Sequence, residues 1–239
     1  MIKLLQGDCL ELMKDIEDKS IDMILCDLPY GTTQNKWDCI IPLDLLWAQY
    51  KRIIKDNGAI VLFSQMPFTA TLVASNLKMF KYEWIWDKVI GTGFLNAKKA
   101  PLKSHENIVV FYKKLPVYNP QMRTGFKPYS ITSGSKSSNY GTYHSVNTSS
   151  DGERYPVSIL EYSNVSHKDR LHPTQKPVTL LEYLIKTYSN EGDTVLDNCM
   201  GSGSCGVACV NTNRNFIGME LDKTYFDIAK QRIENEKDF

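Results

Sequence analysis

The chain has 239 residues, of which 42% are hydrophobic and 23% charged, with a formal net charge of +1. These are ordinary globular values, enough for one α/β domain with a sizeable core. No apolar run approaches the roughly 18 residues that would cross a bilayer, which argues against a membrane partner. The first residues turn acidic at Asp8 and read as a strand rather than a secretory leader, so a cytoplasmic protein is expected.

Short apolar runs rich in β-formers alternate with helical patterns along the chain. The expected strands are Ile2–Gln6, Ile21–Cys26, Ala59–Phe63, Tyr82–Trp86, Asn107–Tyr112, Thr194–Leu196 and Asn215–Met219. The expected helices are Leu43–Ile54, Pro67–Leu77, Pro177–Tyr188, Ser204–Asn211 and Thr224–Glu236. Such alternation predicts a mostly parallel sheet covered on both faces. Two strands before residue 113 follow each other without a helix and predict an antiparallel hairpin at one edge. The fold expected is therefore α/β, with seven strands of which one is antiparallel.

Residues 114–171 break the pattern. They are rich in Ser, Tyr, Asn and Pro, and Ser133–Gly141 is a polar, turn-rich tract. A connection of this length without regular structure is usually functional or disordered. Charge is also uneven. From Lys88 to Lys136 nine basic residues face a single acid, Glu106, whereas residues 1–50 are acidic. The basic stretch reads either as one surface facing a polyanion or as a solvated lysine-rich loop. Six cysteines (9, 26, 39, 199, 205, 209) lack CxxC spacing, and the four histidines (105, 144, 167, 172) do not complete a ligand set with them. Reduced, buried thiols and no metal site are expected.

Near the C-terminus, Thr194-Val195-Leu196-Asp197 leads into Asn198-Cys199-Met200-Gly201-Ser202-Gly203-Ser204-Cys205-Gly206. Gly201, Gly203 and Gly206 satisfy G-x-G-x-x-G, and Glu220 follows the next strand, where an acid would meet ribose hydroxyls. A tight turn without a ligand is the alternative for the glycines alone. A nicotinamide-dependent dehydrogenase is the first functional reading. However, only about one helix can follow Glu220, and the dinucleotide fold needs more strands after the motif. The remainder of the sheet must come from upstream, so the motif order is circularly permuted.

The second motif is Asp27-Leu28-Pro29-Tyr30-Gly31, at the end of an expected strand. It puts a carboxylate, a bend and an aromatic where open α/β sheets bind ligands, although Asp, Pro and Gly also simply make turns. Together the motifs resemble those of the β-class DNA amino-methyltransferases. Asp27-Leu28-Pro29-Tyr30 is similar to their (Asp/Asn/Ser)-Pro-Pro-(Tyr/Phe), with Leu28 in place of the first proline. Asp197–Gly203 is similar to their Asp-Pro-Phe-x-Gly-x-Gly, with Asn198 and Cys199 in place of Pro-Phe. His172-Pro173-Thr174-Gln175-Lys176-Pro177, Gly7-Asp8-Cys9 and Ser104–Phe111 resemble further family segments. The likeness spans nearly the whole chain outside about 114–170.

The resemblance implies a Rossmann-like class I methyltransferase fold and transfer of a methyl group from S-adenosylmethionine to the N6 of a flipped-out adenine in double-stranded DNA. The cytosine N4 is the alternative. It implies catalytic roles for Asp27, Leu28, Pro29 and Tyr30: the Asp27 carboxylate and Leu28 carbonyl accept amine hydrogens, Pro29 sets the bend and Tyr30 stacks on the base. It implies cofactor contacts from Asp8, Cys9, Asp27, Thr174, Gln175, Lys176, Asp197, Asn198, Gly201, Gly203 and Glu220. Residues 1–113 and 171–239 would form the catalytic domain and 114–170 a target-recognition insertion. Lys98, Lys99, Lys103, Arg123, Lys127 and Lys136 would meet DNA, with Arg154, Lys168 and Arg170 and the tyrosines 118, 129, 140 and 143 as further candidates. A homodimer and a cognate restriction endonuclease are the candidate protein partners, in a prokaryotic or phage setting. No cysteine follows a proline, which disfavours C5-cytosine chemistry. Protein glutamine methyltransferases place their tetrad after the glycine loop, the reverse of the order here. A catalytically inactive methyltransferase-like DNA-binding module is the reading from a different class.

Overall fold

The computed structural model describes every residue except 32–38, 134–135, 138–140, 143–145, 167–170, 173–174 and 238–239, and describes no side chain within 132–146 or at 237. Thr174, Tyr140, Tyr143, Lys168, Arg170 and the side chain of Lys136 thus lie outside the described residues.

The chain forms two compact units, Met1–Asn119 with Ser158–Phe239, and Pro120–Val157. The strands of the larger unit are β1 (Ile2–Gln6), β2 (Ile21–Asp27), β3 (Ile54–Ser64), β4 (Phe80–Thr92), β5 (Lys103–Phe111), β10 (Ile159–Glu161), β11 (Thr194–Asp197) and β12 (Asn215–Glu220). They form one sheet of eight in the order β1-β12-β11-β2-β3-β5-β4-β10. Only β5 runs against the others, pairing antiparallel with both β3 and β4. The expected count of seven is corrected to eight by β10, which pairs parallel to β4 through Ile159↔Ile85 and Glu161↔Asp87. Its three residues are too few to carry a period-two signal. They join the sheet because Leu160 is buried in the apolar layer that holds Trp84 and Trp86.

Among the described residues six helices, α1 (Cys9–Leu12), α2 (Leu43–Ile53), α3 (Phe68–Ser75), α4 (Val178–Tyr188), α5 (Ser204–Asn211) and α6 (Lys223–Lys237), cover the two faces. Strand alternation divides the core accordingly. Met23 and Leu25 of β2 join Leu180, Leu184 and Ile185 of α4 in one layer, while Ile24 and Cys26 join Leu46, Trp47, Tyr50 and Ile53 of α2 in the other. Those four α2 residues recur at helical spacing, with Asp44 in the first turn and Lys51 and Arg52 in the last, each sign suited to the helix dipole.

The smaller unit pairs β6 (Tyr129–Ser133) with β9 (Val146–Ser150) antiparallel, and β7 (Lys136–Ser137) with β8 (Gly141–Thr142). The tract expected to lack regular structure therefore contains strands. This unit is also narrower than the 114–170 segment marked out by composition. Lys114 donates its backbone N–H to Asp56 and Asn119 donates to Thr187, so 114–119 belongs to the larger unit, as does β10.

Candidate active site

The order of the sheet explains why two distant motifs meet. β1 pairs with β12 so that Gln6 lies beside Glu220, and β11 lies between β12 and β2. The carboxyl ends of β1, β12, β11 and β2 consequently share one rim. A cavity of about 430 Å³ opens there, lined by Gly7–Leu10, Asp27–Tyr30, Asp197–Ser202 and Glu220, and also by Glu106, His172, Gln175 and Lys176. Tyr30 and Gly201, far apart in sequence, line the same space.

The cofactor-loop half is tightly organised. Glu220 closes β12 with one carboxylate oxygen accepting from Gly201 N–H at 2.9 Å and the other from Asp222 N–H at 2.8 Å. Gly201 and Gly203 have φ of +51° and +81°, the left-handed region that favours glycine. Asp197 accepts from Cys199 N–H at 3.0 Å. Burial pushes its carboxyl up to about 7, reinforced by the charges of Asp27 and Glu220. Burial raises Glu220 as well. Asn198 is buried: its side-chain oxygen accepts from the Tyr50 hydroxyl at 2.5 Å and its amide faces the sulfurs of Cys9 and Cys199. The polar side chain that replaces proline is thus supported from within. Asp8 caps α1, its carboxylate accepting from Leu10 N–H at 2.8 Å.

The other half centres on Asp27. Its Oδ1 accepts from the Tyr30 hydroxyl at 2.6 Å, and its Oδ2 is paired with the Lys176 ammonium. Lys176 also lies 3.5 Å from Glu106 Oε2, and Glu106 Oε1 is paired with Lys88. Four charges thus alternate in sign from Asp27 through Lys176 and Glu106 to Lys88, and Lys88, Glu106 and Lys176 are all buried. Burial raises the Asp27 carboxyl; Lys176 opposes this and Glu106 adds to it. Burial also pushes Glu106 up, but Lys176 and Lys88 overcome it and hold the carboxyl below its ordinary value. The Tyr30 ring stacks on Phe68 at 5.3 Å between centroids, which fixes its plane. Leu28 is buried, packed in the α2 face of the core.

Of the residues expected from the sequence, Asp8, Cys9, Asp27–Tyr30, Gln175, Lys176, Asp197, Asn198, Gly201 and Glu220 line this cavity. Gly203 lies beneath the loop, where an added Cβ would meet Ala229 of α6 at 2.9 Å. Gln175 turns back to accept from Leu171 N–H. Lys98 and Lys99 are exposed, and Lys103 is half-buried on β5. In the smaller unit Arg123 and Lys127 are exposed, and Arg154 stacks on the Tyr129 ring at 4.3 Å. Several supports carry no assigned role in the sequence. Glu106 stands out only as the lone acid of a basic stretch and within the Ser104–Phe111 segment, and Lys88 only as a member of that stretch, neither with a role assigned. His172 packs on Tyr225 at 4.1 Å, and burial lowers it to about 4. Arg232 of α6 donates to Ser202 O and to the hydroxyls of Ser202 and Ser204. A basic residue in a polar helix carries no local sign of such a role.

The cavity fits S-adenosylmethionine. Its volume is that of a small-molecule site, left-handed glycines bring backbone to its edge, and Glu220 stands at a strand end as a ribose acceptor would. The sequence pattern of the DNA methylase family matches residues 21–231. The Type II methyltransferase M.HpaI of Haemophilus parainfluenzae is 30% identical over 253 residues, spanning 98% of this chain and 74% of that protein. The DNA adenine methyltransferase YhdJ of Escherichia coli K12 is 26% identical over 250 residues, spanning 97% and 82%. The M1.HpyAVI–SAM complex superposes with a TM-score of 0.67 at 26% identity, covering 97% of this chain and 100% of that one. The PvuII cytosine-N4-specific enzyme shares the fold, with a TM-score of 0.71 at 15% identity. With the permuted motifs joined in one cavity and the family pattern running over most of its length, the chain belongs to the DNA methylase family, the S-adenosylmethionine-dependent amino-methyltransferases that act on adenine N6 or cytosine N4.

Proposed function

We propose that this chain methylates the N6 of a flipped-out adenine in double-stranded DNA, with Asp27, Leu28, Pro29 and Tyr30 as the acceptor site for the amine. The observation that carries this reading is the single cavity shared by Asp27–Tyr30 and the Asp197–Gly203 loop with Glu220. Adenine is favoured because YhdJ, similar along most of both chains, is a DNA adenine methyltransferase.

S-adenosylmethionine supplies a methyl group made electrophilic by its sulfonium. The chain's own residues prepare the partner. The exocyclic amine is a poor nucleophile because its lone pair is delocalised into the ring. Asp27 and the Leu28 carbonyl accept its two hydrogens, drawing the nitrogen towards a tetrahedral shape and stabilising the positive charge that develops. The Tyr30 hydroxyl on Asp27 Oδ1 marks a donor position that the amine can take over. The Tyr30 ring, held by Phe68, offers a face for the base, worth about 1–3 kcal/mol against the cost of flipping. Lys176 favours the ionised form of Asp27 against the effect of burial, and Glu106 offsets the excess positive charge of Lys176. Asp8 and Cys9 border the adenine end of the cofactor site, Glu220 its ribose and Asp197 to Gly203 its methionine side. Residues 120–157 form the target-recognition unit, where Arg123 and Lys127 are free of ion pairs among the described residues. No described helix is long and apolar enough to cross a membrane, and a cytoplasmic setting beside a restriction endonuclease of the same specificity is the fitting context.

The test is incubation of plasmid DNA with the protein and methyl-labelled cofactor, followed by nucleoside analysis and sequencing. N6-methyladenine at one short sequence is expected. Asp27→Asn should remove labelling by at least about 100-fold while cofactor affinity stays within about twofold. Labelled N4-methylcytosine overturns the choice of base, and undiminished labelling by Asp27→Asn overturns the role of that carboxylate.

A further inference from the structure

The hairpin of β4 and β5 rises from the rim that holds Asp27. At its base Trp86 pairs with Glu106 and Asp87 with His105, and Lys88 is ion-paired to Glu106. Beyond that point the ladder is interrupted until Thr92 meets Lys103. Val89, a β-branched residue, stands at φ +67°, a left-handed conformation that such residues rarely adopt. It is held there by Asp87, whose carboxylate accepts from Val89 N–H at 2.8 Å.

The tip above is ordered by its own backbone. A one-turn helix at Phe94–Asn96 is closed by Asn96 N–H to Gly93 O at 2.9 Å, and Lys99 N–H donates to Asn96 O at 2.8 Å. It nevertheless presents large apolar side chains to solvent: Phe94 is 70% exposed, Leu95 101% and Ile90 66%. Lys98 and Lys99 adjoin them, and no acid occurs between Lys88 and Glu106. Scattered apolar residues on a surface need no explanation, but an apolar knob on a fixed turn beside cations does. A protein partner would ordinarily offer a rim of both signs. Cations without acids match a phosphate backbone, and an apolar knob between phosphates matches a stack of bases with a gap in it. Flipping the target adenine creates such a gap. Leu95 is seven positions along the chain from Lys88, a reach of at most about 25 Å from the Lys88–Glu106 ion pair, which connects to Asp27 through Lys176.

We propose that the Phe94–Leu95 tip is a wedge that enters the duplex and occupies the space left by the flipped base, while Lys98 and Lys99 hold flanking phosphates. This rests on the reading of the chain as a DNA methyltransferase acting on duplex DNA. Because both apolar residues are exposed, their removal leaves the core untouched.

The test compares the full-length protein with F94A/L95A on two duplexes that carry the recognition sequence found by plasmid sequencing. In one the target adenine is paired; in the other it faces an abasic site and is already unstacked. The variant should lose about 10- to 100-fold in kcat/KM on the paired duplex and stay within about twofold of wild type on the abasic one. A 2-aminopurine at the target position should brighten on binding to wild type and not to the variant. K98A/K99A should instead weaken binding to both duplexes alike and reduce the slope of log affinity against log salt by about 2. A variant that matches wild type on the paired duplex, loses equally on both, or changes oligomeric state in sedimentation overturns the wedge. Wild-type protein that methylates neither duplex overturns the methyltransferase reading itself, and the wedge with it.

Discussion

Asp27, Lys176, Glu106 and Lys88 form a chain of alternating charge, buried at all but the Asp27 end, and each member sets the properties of the next. Burying such a chain is costly, and removing one member leaves another uncompensated. Two substitutions should therefore act in opposite directions on the reacting carboxylate. Glu106 raises Asp27 through like charge, whereas Lys176 lowers it. The other groups that bear on Asp27, burial and the Tyr30 hydroxyl, are unchanged in both variants. Glu106→Gln should thus move the acid limb of the pH–rate profile to lower pH. It should also reduce kcat by about tenfold, because a less basic carboxylate is a weaker acceptor and Lys176 and Lys88 then oppose the charge that develops on the amine. Lys176→Met should move the same limb to higher pH and lower kcat further. Cofactor affinity, measured by calorimetry, should change little in Glu106→Gln. Shifts of the acid limb in the same direction for both variants would show that the chain does not act through Asp27.

Within the elements, the glycine-rich turn and the helices around it divide roles that one motif suggested were shared. Gly201 has room for a Cβ, its nearest neighbour being the His172 ring at 3.7 Å, and its positive φ is what favours glycine. Gly206 lies inside α5, where a Cβ would stand 2.3 Å from Ile233 Cδ1 of α6 and 2.8 Å from the Phe216 ring of β12. Gly206→Ala should therefore cost about 1–3 kcal/mol, seen as a lowered melting temperature, and G206A/I233A should recover part of what each single substitution loses. An additive double variant would place the clash elsewhere. The elements themselves were legible because their signals are local. The α2 stripe has helical spacing, the turn before α5 contains its glycines, and Asp27-Leu28-Pro29-Tyr30 is contiguous at a strand end. Three features were not. β10 is too short for a pattern and is specified by the Trp84 and Trp86 surface it covers. Glu106 reads as a lone acid in a basic stretch, and only the crossing of β5 between β3 and β4 brings it to Lys176. Arg232 reads as a solvated helix residue, and only the packing of α6 brings it to Ser202.

Across the whole molecule, the permuted order means that the first strand and the last close the sheet side by side, and their carboxyl ends deliver acids to one cavity from distant parts of the chain. Asp8 follows β1, Asp27 ends β2, Asp197 ends β11 and Glu220 ends β12. Gathering these groups in a partly closed space costs stability unless some are protonated or a ligand is bound. Asp197 shows the effect most clearly: burial, then the charges of Asp27 and Glu220, push its carboxyl up to about 7 from an ordinary 3.8. Between those two values the folded chain holds a proton that the unfolded chain releases. The contribution of this group to stability is thus greatest below about pH 4, declines as pH rises towards 7, and is level above. His172, lowered to about 4, contributes the opposite slope from there to its ordinary 6.5, but it does so equally in a variant at position 197. Asp197→Asn keeps an oxygen to accept from Cys199 N–H and removes the titration. Without cofactor, the melting temperature of Asp197→Asn relative to wild type should therefore increase from pH 5 to pH 8, by several degrees for a difference of about 1–2 kcal/mol. A difference between the two proteins that is constant over that interval would mean that Asp197 is already ionised at pH 5, and that the crowding of acids at this rim is relieved by some other group.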